Sequence, residues 1–336
     1  MKQILSVRDL SVAFGSSPLQ VTDCVSFDIQ EGEFFALVGE SGCGKSVTAM
    51  SILRLLPQPS AKIINGDVWF CSAESQIDLS KIPLKELQKI RGSEIACIFQ
   101  EPMQALNPVL TIKKQLLEIF RFGAARICDG KNNRDDALAI IRQQLLAAGF
   151  KDPERVLDSY PHELSGGMLQ RVCIVMALLS KPKLIIADEP TTALDVTVQA
   201  QVLAVLKQMA QETGTAVLLI THNMGIVSQY ADRVAVMYAG RIVESGSVRQ
   251  VISNPLHPYT QGLLAAIPDN HEDMGTMKAI SGSVPHPKDF VSGCRFADRC
   301  ECCSANPELL AKCRSSSAPP QVDAGDGHCA CCYKLL

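Results

Sequence analysis

The stretch Gly39-Glu40-Ser41-Gly42-Cys43-Gly44-Lys45-Ser46 matches, at every position, the loop pattern G-x-x-x-x-G-K-[ST] that cradles phosphate groups. The apolar residues before it predict a buried strand at 34–38, and those after it predict a helix at 47–56 that stops at Pro57. Strand, loop and helix in this order are the context in which the pattern binds a nucleotide triphosphate. A glycine-rich turn that binds nothing is the alternative for the loop taken alone.

The residue types in this stretch suit phosphate binding. Glycines let successive backbone N–H groups point inward at phosphate oxygens, and the N-terminus of the following helix adds a partial positive charge. Lys45 is expected to reach the β- and γ-phosphates, and the Ser46 hydroxyl is expected to coordinate Mg²⁺. The predicted nucleotide-binding residues of this stretch are Gly39, Glu40, Ser41, Gly42, Cys43, Gly44, Lys45 and Ser46.

Size and composition indicate an ordinary globular protein. The chain has 336 residues, 47% of them hydrophobic, which is enough for one large domain with a smaller attachment. A net charge of −3 without a Lys/Arg block gives no footprint for nucleic acid. Because Arg8 and Asp9 interrupt the first apolar residues, we expect no secretory signal and a cytosolic protein, unless a membrane protein recruits it.

The rest of the chain has a mixed α/β pattern. Alternation predicts antiparallel strands at 4–14 and 21–29, with a further pair near 67–70. The pattern is mainly helical from about 84 to 179, and strands then alternate with helices as in a parallel sheet. The predicted helices are 111–120, 134–149, 167–179 and 196–212, and the later predicted strands are 184–187, 216–220, 234–238 and 241–244.

Polar residues follow three of the apolar strands. Asp188 and Glu189 come after the strand at 184–187, where a phosphate-loop ATPase holds its magnesium and its base. Asp188 is expected to bind Mg²⁺, and Glu189 to polarise the attacking water as general base. Gln100 and His222 each follow a short apolar strand and could reach the γ-phosphate side of the site. Polar strand ends in solvent are the alternative for each of these residues.

A second anion-binding helix terminus is predicted at Leu164-Ser165-Gly166-Gly167-Met168. One nucleotide needs only one phosphate loop, so the two sites are expected to meet across a dimer. A Ser/Gly helix cap without a ligand is the alternative.

Together, these motifs occur in the order and spacing of an ATP-binding cassette, and the chain resembles the ATPase subunits of ABC transporters over about residues 1 to 330. The resemblance implies an α/β, ABC-type P-loop NTPase with an antiparallel β subdomain, a helical signature subdomain at about 84–180 and a small Cys-rich C-terminal extension. The ATPase domain would cover 1–250 and the extension 251–336, Cys-rich from 294.

The same resemblance implies roles for single residues. Phe14 matches the aromatic residue that stacks on adenine. Ser165, Gly166 and Gly167 would contact the γ-phosphate bound by the opposite subunit, and Asp195, in Ala193-Leu194-Asp195, belongs to a loop that communicates across the dimer. His222 would be the γ-phosphate switch, and Gln100 would join Ser46 and Asp188 at Mg²⁺.

Three further stretches are similar to the oligopeptide and dipeptide importer ATPases, a group that includes nickel and opine importers. They are Gln100-Glu101-Pro102-Met103 with Leu106-Asn107-Pro108, Tyr160-Pro161-His162-Glu163-Leu164, and His257-Pro258-Tyr259-Thr260-Gln261. The resemblance implies a peripheral ATPase at the cytoplasmic face of the plasma (inner) membrane. Its partners would be a second ATPase subunit in a heterodimer, two transmembrane permease subunits, which dock on the stretch after Gln100, and an extracytoplasmic substrate-binding protein.

The cysteines are crowded at one end, with eight of the 14 between Cys294 and Cys332. In a reducing cytosol such crowding favours metal ligation over disulfides. The family resemblance implies a four-iron four-sulfur cluster, for which the candidate ligands are Cys294, Cys300, Cys303 and Cys329. Cys302 and Cys313 compete for the third place, Cys331 and Cys332 stand near the fourth, and zinc or free thiols are the alternatives.

Two other classes of function compete with a transport ATPase. A cassette protein of DNA repair or translation usually carries a long coiled coil or a second cassette, whereas only 119 positions separate Ser46 from Ser165 and one cassette is present. A regulatory subunit that does not hydrolyse ATP would lack part of the set Lys45, Asp188, Glu189 and His222, which is complete here.

Overall fold

The computed structural model describes residues 2–15, 19–71, 75–127, 134–192, 194–267 and 280–336. Its strands are β1 (Gln3–Phe14), β2 (Leu19–Gln30), β3 (Phe34–Val38), β4 (Ala61–Cys71), β5 (Gln76–Asp78), β6 (Ile95–Ile98), β7 (Leu184–Asp188), β8 (Ala216–Thr221), β9 (Arg233–Tyr238), β10 (Arg241–Ser247), β11 (Gln321–Asp323) and β12 (Cys329–Cys331). Its α-helices are α1 (Lys45–Ile52), α2 (Leu84–Ile90), α3 (Pro102–Ala105), α4 (Ile112–Ile127), α5 (Arg134–Ala147), α6 (Pro153–Asp158), α7 (Gly166–Leu179), α8 (Val196–Thr213), α9 (Met224–Tyr230), α10 (Val248–Ser253), α11 (Pro258–Ala265), α12 (Glu301–Ala305) and α13 (Pro307–Cys313).

The larger of the two sheets has the strand order β11-β12-β10-β9-β3-β8-β7-β6, and its strands from β9 to β6 run parallel. Its central strands β3, β7 and β8 are buried at every position, which explains their unbroken apolar sequences. Alternate residues of β7 face different cores, with Ile185 on the helical side and Ile186 on the side of the antiparallel sheet. The sheet thus lies between two hydrophobic layers, and its parallel strands end at one edge.

The smaller sheet has the order β2-β1-β4-β5 and is antiparallel throughout. The predicted strands at 4–14 and 21–29 correspond to β1 and β2, and the further pair near 67–70 corresponds to β4 with β5. Buried residues of this sheet, such as Leu5 and Val68, share a core with α1 and with one face of the larger sheet. This core fixes the smaller sheet against the helix that follows the phosphate loop.

Two details of the chain differ from the sequence-based prediction. Helix α1 ends at Ile52 rather than continuing to 56, because Leu53 leaves the helical conformation and Arg54 adopts a positive φ of 51°. The mainly helical segment also contributes β6, which pairs in parallel with β7 at the edge of the larger sheet. The other predicted helices agree with α4, α5, α7 and α8 apart from their ends.

The C-terminal extension returns to the larger sheet. Strand β12 pairs antiparallel with β10, and β11 pairs with β12. Next to this junction the buried Glu244 carboxylate contacts His328 Nε2 at 2.8 Å and accepts hydrogen bonds from the backbone N–H groups of Leu256 and His257. The domain boundary at 250 stays a prediction. In the structure, β11 and β12, which follow this boundary, extend the larger sheet at β10, which precedes it.

None of the helices within the described ranges has the length and apolar character needed to cross a membrane.

Helix α11 begins at a buried histidine cap. His257 is 1% exposed, and its Nδ1 accepts a hydrogen bond from the backbone N–H of Tyr259. Burial lowers the pKa of His257 from 6.5 to about 3. The unfolded chain therefore binds a proton more readily than the folded one, so the stability that neutral His257 contributes is present above pH 6.5 and is lost as the pH falls toward 3.

We expect His257→Asn to reduce the acid sensitivity of folding, because asparagine can cap the helix but does not titrate. Between about pH 7.5 and about pH 5.5, the wild type should lose about 1.4 kcal/mol more unfolding free energy than the variant. Denaturant unfolding at both pH values measures this difference. The control is His286→Asn at an exposed cap, where Nδ1 accepts a hydrogen bond from the Lys288 N–H. If wild type and His257→Asn show equal pH dependence of unfolding, the assignment is contradicted.

Candidate functional site

The phosphate loop (residues 39–46) joins β3 to α1, as predicted, and close contacts require glycine at two of its positions. A Cβ on Gly39 would lie 2.1 Å from the backbone oxygen of Met237, which no side chain could tolerate. Gly44 has a φ of 106°, and a Cβ there would lie 2.9 Å from Met237 Cε and 3.3 Å from Thr22 Cγ2. The loop is therefore enclosed by β9 of the larger sheet and by β2 of the smaller sheet.

Lys45 lies within the loop rather than in solvent. Its side chain is 4% exposed, and Nζ donates hydrogen bonds to the backbone oxygens of Gly39 at 2.8 Å and Glu40 at 3.0 Å. The same nitrogen lies 3.9 Å from Glu189 Oε1. The positive charge is thus placed between the loop backbone and the acidic end of β7.

Ser46 and Asp188 are brought together by the folding of α1 against β7. Ser46 Oγ donates to Asp188 Oδ1 at 2.9 Å. Burial raises the pKa of Asp188, and the neighbouring Glu189 charge acts in the same direction. A hydroxyl and a buried carboxylate are oxygen donors of the kind that Mg²⁺ prefers, and a bound cation would offset the cost of ionising Asp188. The pair fits a magnesium site.

Glu189 directly follows β7 and has a strained backbone conformation. Its φ is 44°, and its N–H donates to the Ile220 oxygen at 3.0 Å, which holds this conformation in place. The Glu189 carboxylate accepts a hydrogen bond from Thr192 Oγ1 at 2.9 Å and lies 3.4 Å from His222 Nδ1. Thr192 was not predicted from the sequence, because nothing in a single threonine after the strand indicates the contact.

Gln100 and Phe14 belong to the margins of this site. The parallel register pairs Ile98 with Ala187, so the exposed Gln100 follows β6 at the edge where β7 ends in Asp188 and Glu189. Phe14 lies at the end of β1, where it pairs with Leu19 and packs half-buried against the core of the smaller sheet. Their roles at magnesium and adenine stay predictions.

The Ser165 segment forms a second surface. Ser165 caps α7, and its Oγ accepts from the Met168 N–H at 3.4 Å, while Asp195 caps α8 through the Val198 N–H at 2.9 Å. A Cβ on Gly167 would lie 2.4 Å from Val198 Cγ1, so glycine lets α7 pack closely on α8. Ser165, Gly166 and Asp195 are exposed on these adjoining elements, and Ala193 lies outside the described residues.

The extension reaches the phosphate loop in a way that the sequence did not predict. The Tyr259 hydroxyl accepts a hydrogen bond from the Glu40 N–H, and the Arg299 guanidinium pairs with the Glu40 carboxylate. These partners lie 219 and 259 positions from Glu40 along the chain. No local pattern can indicate contacts at such separations.

Four cysteines of the extension are buried, and they are not the predicted ligand set: Cys300, Cys303, Cys313 and Cys332. Burial raises the pKa of Cys300 to about 11, and the side chain of Cys303, which also contacts Cys313, acts in the same direction. Cys332, rather than Cys329, interacts electrostatically with Cys300. Cys329 lies in β12, where its backbone pairs with that of Asp323 in β11. In the part of the chain that the structure describes, no group of three His, Cys, Asp or Glu side chains could hold a metal ion. The thiols as placed do not fit the iron–sulfur cluster predicted on Cys294, Cys300, Cys303 and Cys329.

Comparison with known proteins gives two family matches. Residues 22–192 match the family described as ABC transporter, and residues 243–306 match the oligopeptide/dipeptide transporter C-terminal region. The chain is 45% identical to the oligopeptide transport ATP-binding protein AppD of Bacillus subtilis, over 92% of this chain and 94% of that protein. It is 43% identical to the dipeptide transport ATP-binding protein DppD of the same organism, over 99% and 95%.

Solved structures of ATP-binding cassettes also match the chain. The ATP-binding cassette MJ0796, solved as a dimer in a post-hydrolysis state with ADP and phosphate, matches with a TM-score of 0.62 at 27% identity, over 73% of this chain and 99% of that one. CbiO1 of Clostridium perfringens, part of the ABC transporter complex cbiONQ, matches with a TM-score of 0.61 at 27% identity, over 76% and 92%.

Proposed function

The chain belongs to the ATP-binding subunits of ABC transporters in the oligopeptide/dipeptide group, and from this membership we propose that it powers the uptake of peptides across a membrane. The observation that carries the proposal is identity of 43–45% to peptide transport subunits along nearly the whole chain, extension included. ATP is bound and hydrolysed by this family, and the arrangement of Lys45, Ser46, Asp188 and Glu189 suits that reaction.

We assign the chemistry to side chains at the carboxyl edge of the larger sheet. Ser46 and Asp188, with Gln100, would hold Mg²⁺, which supplies charge neutralisation on the phosphates. Glu189 would accept the proton of the attacking water, since its carboxylate is held by the Thr192 hydroxyl and lies 3.9 Å from Lys45 Nζ. To His222, whose Nδ1 lies 3.4 Å from Glu189 Oε1, we assign the role of reporting the presence of the γ-phosphate.

The exposed Ser165 and Asp195 surface is proposed to complete the site of a second ATPase subunit. Ser165 and Gly166 are exposed at the start of α7, where the partial positive charge of the helix N-terminus would attract an anion from outside the chain. Each subunit in the dimer would lend this surface to the ATP held by its neighbour, so that ATP binding closes the pair. We propose a heterodimer with a related subunit.

A groove beside Gln100 is proposed to receive the permease. It has a volume of about 810 Å³ and is lined by Phe99, Ala105, Ile119 and Met176, with Lys85 at its polar side. Phe99 is 40% exposed, and a partner helix that packs in the groove would cover its ring. We propose two permeases, an extracytoplasmic binding protein, and a peripheral position at the cytoplasmic face of the membrane.

Uptake in a deletion strain tests the proposal. Loss of the gene should abolish accumulation of labelled di- or oligopeptides and leave nickel accumulation unchanged, and the wild-type chain should restore uptake. A Phe99→Glu variant should keep ATP binding in the isolated chain but restore little uptake, because a charge in the apolar groove opposes docking. The matched control is Glu212 on the exposed end of α8, changed to Gln. Nickel dependence instead of peptide dependence would contradict the proposed cargo.

A further inference from the structure

The second residue of the phosphate loop is held from the C-terminal extension. Arg299 Nη1 and Nη2 donate to the two carboxylate oxygens of Glu40 at 2.7 and 2.9 Å, a bidentate pair. Arg299 is 8% exposed and Glu40 30% exposed, so water competes little for the contact. The Tyr259 hydroxyl accepts from the Glu40 backbone N–H at 2.9 Å, and the loop is thus held at a side chain and at the main chain.

The Arg299 guanidinium is itself fully engaged. Besides the carboxylate, Nη1 donates to the Tyr238 hydroxyl at 3.3 Å, Nη2 to the Gly282 oxygen at 3.2 Å, and Nε to the Ser281 oxygen at 2.8 Å. A guanidinium has five N–H donors, and each has an acceptor here. The position of the Arg299 guanidinium is therefore set by the extension and by β9, and the contact fixes the position of the Glu40 carboxylate.

A neighbouring arginine supports the same loop at a second point. Arg295 Nη1 donates to the Ala239 oxygen at 2.6 Å and Nη2 pairs with Asp23 at 2.7 Å. The adjoining Gly240 N–H donates to the Cys43 oxygen of the phosphate loop at 2.8 Å. The short segment from 294 to 300 therefore contacts the loop directly through Arg299 and indirectly through Arg295.

We propose that Arg299 is a positioning residue for ATP binding, which acts through Glu40 to hold the phosphate loop in its receptive shape. A glycine-rich loop has many backbone conformations, and a loop that is already ordered loses less entropy when phosphate binds. Arg299 also neutralises a carboxylate that would otherwise stand beside the negative phosphates. The proposal rests on ATP binding by this chain, and it adds that the extension sets the affinity.

Arginine is required at this position for a geometric reason. Lysine would carry the charge but not the planar fork that meets both carboxylate oxygens. Because Arg299 contacts the loop and not the reacting groups Glu189 and His222, its loss should raise KM for ATP and leave kcat at saturating ATP within about threefold of wild type.

A double-mutant cycle on the full chain tests the proposal. MgATP affinity is measured by titration with a fluorescent ATP analogue and by competition with ATP for wild type, Arg299→Ala, Glu40→Ala and the double variant. We expect each single change to weaken binding about tenfold and the double change to weaken it no further, since both remove one contact. Arg299→Lys should recover part of the loss.

The matched control is Arg314→Ala, which breaks an exposed ion pair to Asp298 in the same C-terminal extension and should leave ATP affinity unchanged. If Arg299→Ala does not fold, Glu40→Gln provides the test, because it removes the carboxylate charge while the extension keeps its own contacts. Unchanged affinity in the folded variants, or losses that simply add in the double variant, would overturn the proposal. Absence of ATP binding by the wild type would instead refute the proposed function.

Discussion

Replacing Glu189 with glutamine is expected to slow ATP hydrolysis by roughly 10²- to 10⁴-fold without abolishing ATP binding. The amide has almost the size of the carboxylate and can still accept the Thr192 hydrogen bond at the same place. It cannot take the proton of the attacking water, however. ATP should then persist in the site and, in the presence of the proposed partner subunit, keep the proposed dimer closed around it.

Phosphate release under saturating MgATP measures the first effect, and the size of the assembly on a column run with ATP measures the second. Glu212→Gln, on the exposed end of α8, makes the same chemical change away from the site and should hydrolyse ATP at the wild-type rate. Normal turnover by Glu189→Gln would remove Glu189 from the role of general base.

Lys45→Ala is expected to lower ATP affinity by at least roughly 10²-fold, because two charge-assisted hydrogen bonds to phosphate would be lost. The lysine is 4% exposed and already points its nitrogen at the loop backbone, so neither water nor a neighbouring cation can take its place easily. Equilibrium titration with MgATP measures the loss.

The control for this change is Lys62→Ala on β4, which removes an exposed lysine from the smaller sheet and should leave affinity unchanged. Thermal unfolding without nucleotide separates lost binding from lost folding. A folded Lys45→Ala variant with wild-type affinity would show that the phosphates bind elsewhere.

The local features of the fold could be predicted from the sequence, since their signals are contained in short stretches. The phosphate loop pattern requires a strand before it and a helix after it, and the apolar runs of β3, β7 and β8 have the length of buried strands. Parallel strands end at one edge, so Asp188, Glu189 and His222 could be expected near Lys45. In the structure, Asp188 lies 2.9 Å from Ser46, Glu189 lies 3.9 Å from Lys45, and His222 lies 3.4 Å from Glu189.

Contacts between distant parts of the chain could not be predicted in the same way. Tyr259 and Arg299 meet Glu40 only because the extension folds back over β9, and neither residue stands in a pattern that names its partner. The cysteine set shows the same limit, because Cys329 was named through the family resemblance, whereas it is Cys332, directly after β12, that interacts with Cys300. Helix α1 ended early for a reason that propensity does not contain, the positive φ of Arg54.

The return of β12 to β10 has a consequence for how this extension can be altered. Without the last residues, β10 would offer a row of open peptide groups, a template on which a second chain could pair. The Glu244 carboxylate would also lose the imidazole that covers it. We therefore expect that truncation of the chain after α11 would not give a smaller stable ATPase. It would instead expose β10 as an edge strand that promotes aggregation.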